Sequence, residues 1–324
     1  MHKPFRWGIL GAGNIAEKFA SALNYTENAE IYAVASRDAD KAKKLADKYG
    51  ASHAYGHYNQ LAEDPSVDII YIATPHAFHC EQAIMCLQHK KAVLCEKPMA
   101  LSLEQVRRMV NAAKKNSTFL MEGMWSAFMP SITKMQELIA QDAIGPVQFI
   151  RADFGFQAPT DATNRLYNLE LGGGSLLDVG IYPLFLTTLL LGEPSRIQSM
   201  ATLAETGADA CCSMQFQYPG GEFANIFSSI TFKSSLTAEI TGTKGRILLH
   251  RPFYKATSIS LEPDEGEVQQ FSLPHEHNGF EYEIREVMQC LEKGLVECPL
   301  MPFENSLVMA GVMDTVRAQC GVVY

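Results

Sequence analysis

The residues best suited to chemistry are a glycine turn near the start and two polar segments that each end an apolar run. Gly11-Ala12-Gly13-Asn14-Ile15-Ala16 follows the run Arg6–Leu10 in the spacing of a dinucleotide fingerprint. Gly11 permits the tight turn, Gly13 lets a pyrophosphate approach the backbone, and Ala16 in the last place lets helix and strand pack closely. Asn14 and Ile15 open the helix whose positive end would hold the phosphates. Thr74-Pro75-His76 and Glu96-Lys97-Pro98 end two later apolar runs, where open α/β sheets hold their ligands. Both are expected to flank a nicotinamide. Lys97 directly follows Ala92–Cys95, which brings its ammonium out at the sheet edge; without that context it reads as half of a Lys97–Glu96 surface pair.

Some ~20 residues beyond the fingerprint, an acidic side chain would grip the 2′-hydroxyl of NAD. This chain has Ser36-Arg37-Asp38 there. A guanidinium pairs with a 2′-phosphate that a carboxylate would repel, so NADP(H) is expected to be preferred, with NAD(H) possible through Asp38.

The elements that must position these groups follow the parallel α/β rhythm. Strands are expected at Arg6–Leu10, Ala29–Ala35, Asp68–Ala73, Ala92–Glu96 and near Phe119–Glu122, alternating with helices Ile15–Asn24, Ala39–Tyr49, Ala77–Gln88 and Ser102–Lys115. After Met124 the pattern changes to helix Pro130–Gln141, strand Pro146–Phe154, a polar loop and an apolar helix Leu176–Leu191. Alternating segments from Arg196 to Ser272 should form one largely antiparallel sheet, and helices Phe280–Lys293 and Ser306–Cys320 close the chain. The fold class is therefore an α/β Rossmann domain, a doubly wound parallel sheet, plus an α+β domain with a large, mostly antiparallel open sheet. The expected division is 1–123 for coenzyme, 124–303 for substrate and dimerisation, and 304–324 as a final helix that packs back on the first domain.

The glycine fingerprint with the strand-end EKP resembles the glucose-fructose oxidoreductase and inositol dehydrogenase family over the whole chain. Tyr71, Thr74-Pro75 with His79, Gly172 through Pro183, and Asn278-Gly279-Phe280-Glu281-Tyr282-Glu283 are similar to its dihydrodiol and D-xylose dehydrogenase branch. The resemblance assigns Lys97, Asp178 and Tyr182 to catalysis, with Tyr182 as acid/base where many relatives have His. It also places Tyr71 and His79 at the coenzyme site, although Tyr71 alone reads as a core residue of an apolar strand. Asp178 and Tyr182 are four apart and share a helix face near its first turns. The bare pattern equally allows Asp178 to complement a helix N-terminus and Tyr182 to be a packing residue. Gly172-Gly173-Gly174 lacks the surroundings of a phosphate loop and reads as a flexible lead-in to that helix.

Trp125, Arg151, Phe154, Arg165 and Phe280 are the substrate-pocket candidates, each also readable as core or surface. Relatives often have an Arg two residues beyond this Trp, where this chain has Ala127, so the substrate is not carried over. The expected activity is a dehydrogenase or reductase working on the CH–OH group of a sugar, polyol or vicinal diol. A non-catalytic NADP-binding regulator and an NAD-dependent glycosidase are the alternatives on the same fold.

Composition bounds the partners. The 27 basic against 36 acidic residues leave a formal charge of -9, which argues against nucleic acid. No apolar run is expected to span a bilayer, and a first strand beginning by Trp7 leaves no room for a signal peptide, so a cytoplasmic protein is expected. The eight cysteines lack any CxxC and read as reduced core thiols. His76, His79 and His275-Glu276-His277 lack metal-ligand spacing, and no metal is expected. An open sheet covered on one face should expose a broad apolar surface, which predicts a homodimer through that sheet.

Overall fold

The computed structural model describes residues 3–159 and 164–324. The chain divides into two compact units: Met1–Ala100 with Glu104–Trp125 and Glu276–Ser306, and Leu101–Leu103 with Ser126–His275 and Leu307–Tyr324.

The first unit alternates β1 (Phe5–Leu10), α1 (Asn14–Tyr25), β2 (Ala29–Ala35), α2 (Ala39–Tyr49), β3 (His53–Tyr55), α3 (Tyr58–Glu63), β4 (Ile69–Ile72), α4 (His79–Gln88), β5 (Ala92–Glu96), α5 (Leu103–Asn116) and β6 (Leu120–Gly123). All strand pairs are parallel in the order β3-β2-β1-β4-β5-β6. Strands β4 and β5 are buried along their full length, as parallel strands covered on both faces must be. The strand order reverses between β1 and β4, the point where such sheets open a crevice at their carboxyl ends. The sequence did not signal β3 or α3, because β3 has only three residues and two of them are exposed.

The second unit contains α6 (Pro130–Ala140), β7 (Val147–Gly155), a π-helical turn at Leu176–Gly180 that runs into α7 (Ile181–Leu191), and β8 (Arg196–Leu203), β9 (Asp209–Gln217), β10 (Phe223–Ser229), β11 (Ala238–Gly242), β12 (Gly245–Leu249), β13 (Ser258–Pro263) and β14 (Gln269–Ser272). Its eight-stranded sheet runs β14-β13-β12-β11-β7-β10-β9-β8, antiparallel except for β7 with β10. Helix α7 lies on β7 and β10 and is apolar nearly all round, as a helix inside a core must be. The stretch Leu169–Leu191 is in fact long and apolar enough to cross a bilayer, contrary to the sequence expectation, but 83% of its apolar 18-residue window is buried within the fold.

Two helices follow, α8 (Phe280–Glu292) and α9 (Phe303–Cys320). Helix α8 belongs to the first unit, because Asn278 donates to the Lys18 carbonyl at 2.9 Å and Phe280 meets Phe19 edge-on. From Leu307 onward α9 groups with the second unit, where Gln319 accepts from Ser199 and donates to the Ile197 carbonyl of β8.

Strand alternation separates two residues that the sequence reading put together. Ile150, Ala152 and Phe154 face the buried side of β7, so Arg151 projects from the open side, where it pairs with Glu239 of β11 at 3.2 Å. Arg151 is thus removed from the pocket. The open face is also less apolar than expected. Phe149, Phe223 and Phe227 share it with Ser213, Gln215, Asn225 and the Arg246–Glu262 pair.

Candidate active site

The coenzyme half of the site lies in the first unit. Gly11 has φ +106°, and a Cβ there would stand 2.9 Å from the Ala73 carbonyl at the end of β4, so only glycine fits this turn. Its N–H donates to the Ala35 carbonyl at 2.9 Å, tying the turn to the end of β2. Gly13 caps α1 through its backbone alone, and a Cβ there would meet nothing within 4 Å. That cradle, at a helix N-terminus bounded by Asn14 and Ile15, is the shape a dinucleotide pyrophosphate requires. Ala16, fully buried, holds α1 close to the sheet.

At the end of β2 the Arg37 guanidinium lies over the Phe78 ring, 5.3 Å from its centroid, which brings the ends of β2 and β4 together. Ser36 is buried, and its hydroxyl accepts from Asp38 N at 3.2 Å. Asp38 caps α2 by accepting from Lys41 N at 3.2 Å, and that N–H holds its carboxyl below the ordinary value. The carboxylate is therefore engaged while the neighbouring guanidinium is exposed.

The strand-end segments meet around Glu96 and Lys97. Tyr71 is fully buried, stacks on Phe19 and donates its hydroxyl to Glu96 Oε1. Glu96 in turn accepts from Lys97 N at 3.3 Å. His79 is fully buried between the carbonyls of Thr74 and Pro98, at 2.8 and 2.9 Å. Burial holds its imidazole below the ordinary value, and the Lys97 ammonium acts in the same direction. His76, also buried, meets the His79 ring edge-on, and Thr74 Oγ1 donates to Gln82 at 2.6 Å. Tyr71, Thr74 and His79 thus brace the strand ends that present Lys97.

Two buried carboxyls to which the sequence assigned no role also belong to this unit. Glu122 on β6 is buried, accepts from Met99 N at 2.8 Å, and is pushed up by burial, with Lys97 acting against that shift. Glu283 on α8 is fully buried, neither of its carboxyl oxygens has a hydrogen-bond partner, and burial followed by the charge of Glu96 pushes it well above the ordinary value. Burial without a partner favours the protonated form of such a carboxyl. Trp125 and Phe280 stack on each other at 4.5 Å within this unit, both largely buried, so much of their surface is taken up by packing.

In the second unit the π-helical turn, not a regular α-helical start, carries Asp178, with Tyr182 in the first turn of α7. Asp178 Oδ1 accepts from Arg165 at 2.9 Å. The Tyr182 ring lies 5.4 Å from Phe154 and 5.0 Å from Tyr254, whose own rings stack at 4.5 Å. Tyr254 had no distinguishing sequence signal; burial pushes its phenol up. Phe154 therefore stands beside Tyr182, and Arg165 beside Asp178.

The lead-in to this helix is closely packed. A Cβ on Gly173 would lie 2.6 Å from the Arg165 carbonyl, and one on Gly174, at φ +120°, would lie 2.2 Å from Asp209 Oδ1. The glycines are required by close packing.

Among the described residues, Glu286, Cys290 and Cys298 form the group of metal-ligand size. Both thiols donate to Glu286 Oε1, at 3.6 and 3.7 Å, and burial pushes both up. In this arrangement both thiols act as S–H donors to the carboxylate. All eight cysteines carry free thiols.

Comparison with known proteins agrees with this geometry. Residues 5–124 match the model of an oxidoreductase family with an NAD-binding Rossmann fold, and residues 132–248 match the GFO/IDH/MocA C-terminal domain. The trans-1,2-dihydrobenzene-1,2-diol dehydrogenase of Xenopus tropicalis is 39% identical over 98% of this chain and 99% of its own. The human protein of that name is 35% identical over 98% of each chain. Among solved structures, a 3-ketoreductase from Actinomadura kijaniata in complex with NADP and TDP-benzene superposes with a TM-score of 0.87 at 26% identity, covering 98% of both chains.

Proposed function

The chain belongs to the GFO/IDH/MocA family of nicotinamide-dependent oxidoreductases, and from that premise we propose that it oxidises a vicinal diol, polyol or sugar at a CH–OH group, or reduces the matching carbonyl, with NADP(H) preferred. The observation that carries this reading is Tyr182, whose ring is set among Phe154 and Tyr254 with Asp178 one turn before it. A phenol on an aromatic wall beside a carboxylate suits a small polar substrate with a carbon face.

When bound, the coenzyme supplies the hydride acceptor or donor at nicotinamide C4. In the oxidation direction Tyr182 takes the hydroxyl proton of the substrate, and in reduction it returns a proton to the carbonyl oxygen. A phenol with an unperturbed pKa of about 10 is a weak base at neutral pH, and an ammonium favours its phenolate; that is the role given to Lys97. Asp178, held by Arg165, orients a second substrate hydroxyl. Gly11, Gly13, Asn14 and Ile15 would hold the pyrophosphate, and Arg37 with Ser36 would hold the 2′-phosphate.

The support for NADP(H) is the exposed Arg37 over Phe78 and the engagement of Asp38 as a helix cap. The diol end of the substrate range follows the names of the relatives. We further assign the enzyme to the cytoplasm, in keeping with its free thiols, without nucleic-acid or membrane partners. We also assign it a homodimeric state through the open sheet, where Met200, Phe223 and Phe232 are exposed.

The test is a fluorescence titration with NADPH and NADH, followed by turnover on trans-1,2-dihydrobenzene-1,2-diol, D-xylose, D-glucose and dicarbonyls. Turnover of a diol or sugar with tighter NADPH binding is expected. Nucleotide binding with no turnover on any substrate would contradict the reading.

A further inference from the structure

The turn that carries Asp178 does not cap itself: Ser175, at its N-cap, makes no side-chain bond to the helix it begins. The first residue of β9 supplies the acceptor instead. Asp209 Oδ2 receives Leu176 N at 2.6 Å and Ser175 Oγ at 2.7 Å, placing a carboxyl at the positive end of the helix. Ser175 Oγ also meets Ser228 Oγ of β10 at 2.9 Å. Ser228 further limits Gly180 at the other end of the turn, where a Cβ would lie 3.0 Å from its Oγ. On the outer side, Tyr324 donates its hydroxyl to the Gly173 carbonyl and would stand 2.9 Å from a Cβ on Gly174. Both ends of the five-residue turn Leu176–Gly180 are thus clamped by side chains from other elements.

We propose that Asp209 is a positioning residue for the reaction, fixing the start of the helix so that Asp178 and Tyr182 present their polar groups at the right height. The proposal rests on the roles given above to those two residues. The clamp is costly to build, because Asp209 is 1% exposed and burial pushes its carboxyl up to about 6. A helix start held only by its own backbone would be free to unwind by part of a turn. Displacement of catalytic groups by about 1 Å costs on the order of a hundredfold in rate.

The experiment compares Asp209→Leu, which removes both acceptors while keeping the branched shape, with Asp209→Asn, which keeps one, on the best substrate of the wild-type enzyme, well below the unfolding temperature. Expected results are a kcat lowered at least tenfold in Asp209→Leu, a kcat within threefold of wild type in Asp209→Asn, and an NADPH dissociation constant unchanged in both. A folded Asp209→Leu protein with wild-type kcat overturns the proposal, and so does a parallel loss of NADPH affinity, which marks general disruption. If Asp209→Leu does not fold, Ser175→Ala decides: at least a threefold loss of kcat with unchanged NADPH binding supports the clamp, and wild-type kcat overturns it. Tyr182→Phe is measured alongside, so full turnover in that variant identifies a failure of the catalytic roles and not of the clamp.

Discussion

The Arg165 guanidinium donates to Asp178 at 2.9 Å, joining a half-exposed cation to a carboxylate whose side chain is only 10% exposed. Arg165 begins the short turn Arg165–Tyr167, and the carbonyls of Arg165 and Leu166 crowd Gly173. Loop and helix start therefore form one packed block. Arg165 acts through Asp178 in this account, so Arg165→Gln should lower kcat/KM several-fold, in line with the ~1 kcal/mol of a solvent-screened pair. The same change in an Asp178→Asn background should have little further effect. Fully additive losses in the double-mutant cycle would separate the two residues.

Arg37 is the residue proposed to set coenzyme preference. Losing its contact to the 2′-phosphate should weaken NADPH binding by about 1.5 to 3 kcal/mol, the scale of a hydrogen bond to a charged group, while NADH binding stays nearly constant. Titrating Arg37→Ala with both coenzymes measures this directly. An unchanged ratio of the two affinities would take Arg37 out of the site.

Asp209 also predicts a dependence of stability on pH. Its folded value of about 6 lies above the ordinary 3.8, so the folded chain holds this proton more tightly than the unfolded one. The associated stability is complete below about pH 4 and is lost as the pH rises through about 6. The shift corresponds to a span on the order of 3 kcal/mol. Denaturant unfolding at pH 4 and pH 7.5 should show this loss in the wild type and a smaller one in Asp209→Asn. Equal losses in both proteins would mean that Asp209 ionises as freely folded as unfolded.

The coenzyme half of the site was legible because its signals are local. Gly11 is the residue that its φ and the nearby Ala73 carbonyl demand, and Lys97 follows an apolar strand directly. Asp178 and Tyr182 were legible as neighbours on one helix, although the π-helical turn that carries Asp178 was not, since the groups that meet it, Asp209 and Ser228, come from distant strands. Glu122, Glu283 and Asp209 escaped notice for a related reason. A carboxyl acquires its environment from whatever packs over it: Glu122 and Asp209 lie in stretches with no motif, and the motif that ends at Glu283 does not show that this carboxyl is buried without a partner. Arg151 failed differently: its alternation with Phe154 could be read, but which face of the eight-stranded sheet is covered could not. The Gly172–Gly174 run looked flexible because composition cannot show that neighbouring carbonyls occupy the space of a Cβ.

Lys97 and Tyr182 are held to serve one proton, so their removal should not be additive. Lys97→Met and Tyr182→Phe should each lower kcat strongly, and the double variant should be little worse than the weaker single one. Independent, multiplying losses would show that Lys97 acts elsewhere, for example on the coenzyme alone.

The most direct measurement is the turnover of Tyr182→Phe on the best wild-type substrate, with NADPH affinity determined on the same preparation. The account predicts a kcat lowered by ~10²- to 10⁴-fold, the scale of general acid–base catalysis, with coenzyme binding unchanged. Full turnover by Tyr182→Phe would contradict the central claim that this phenol carries the proton.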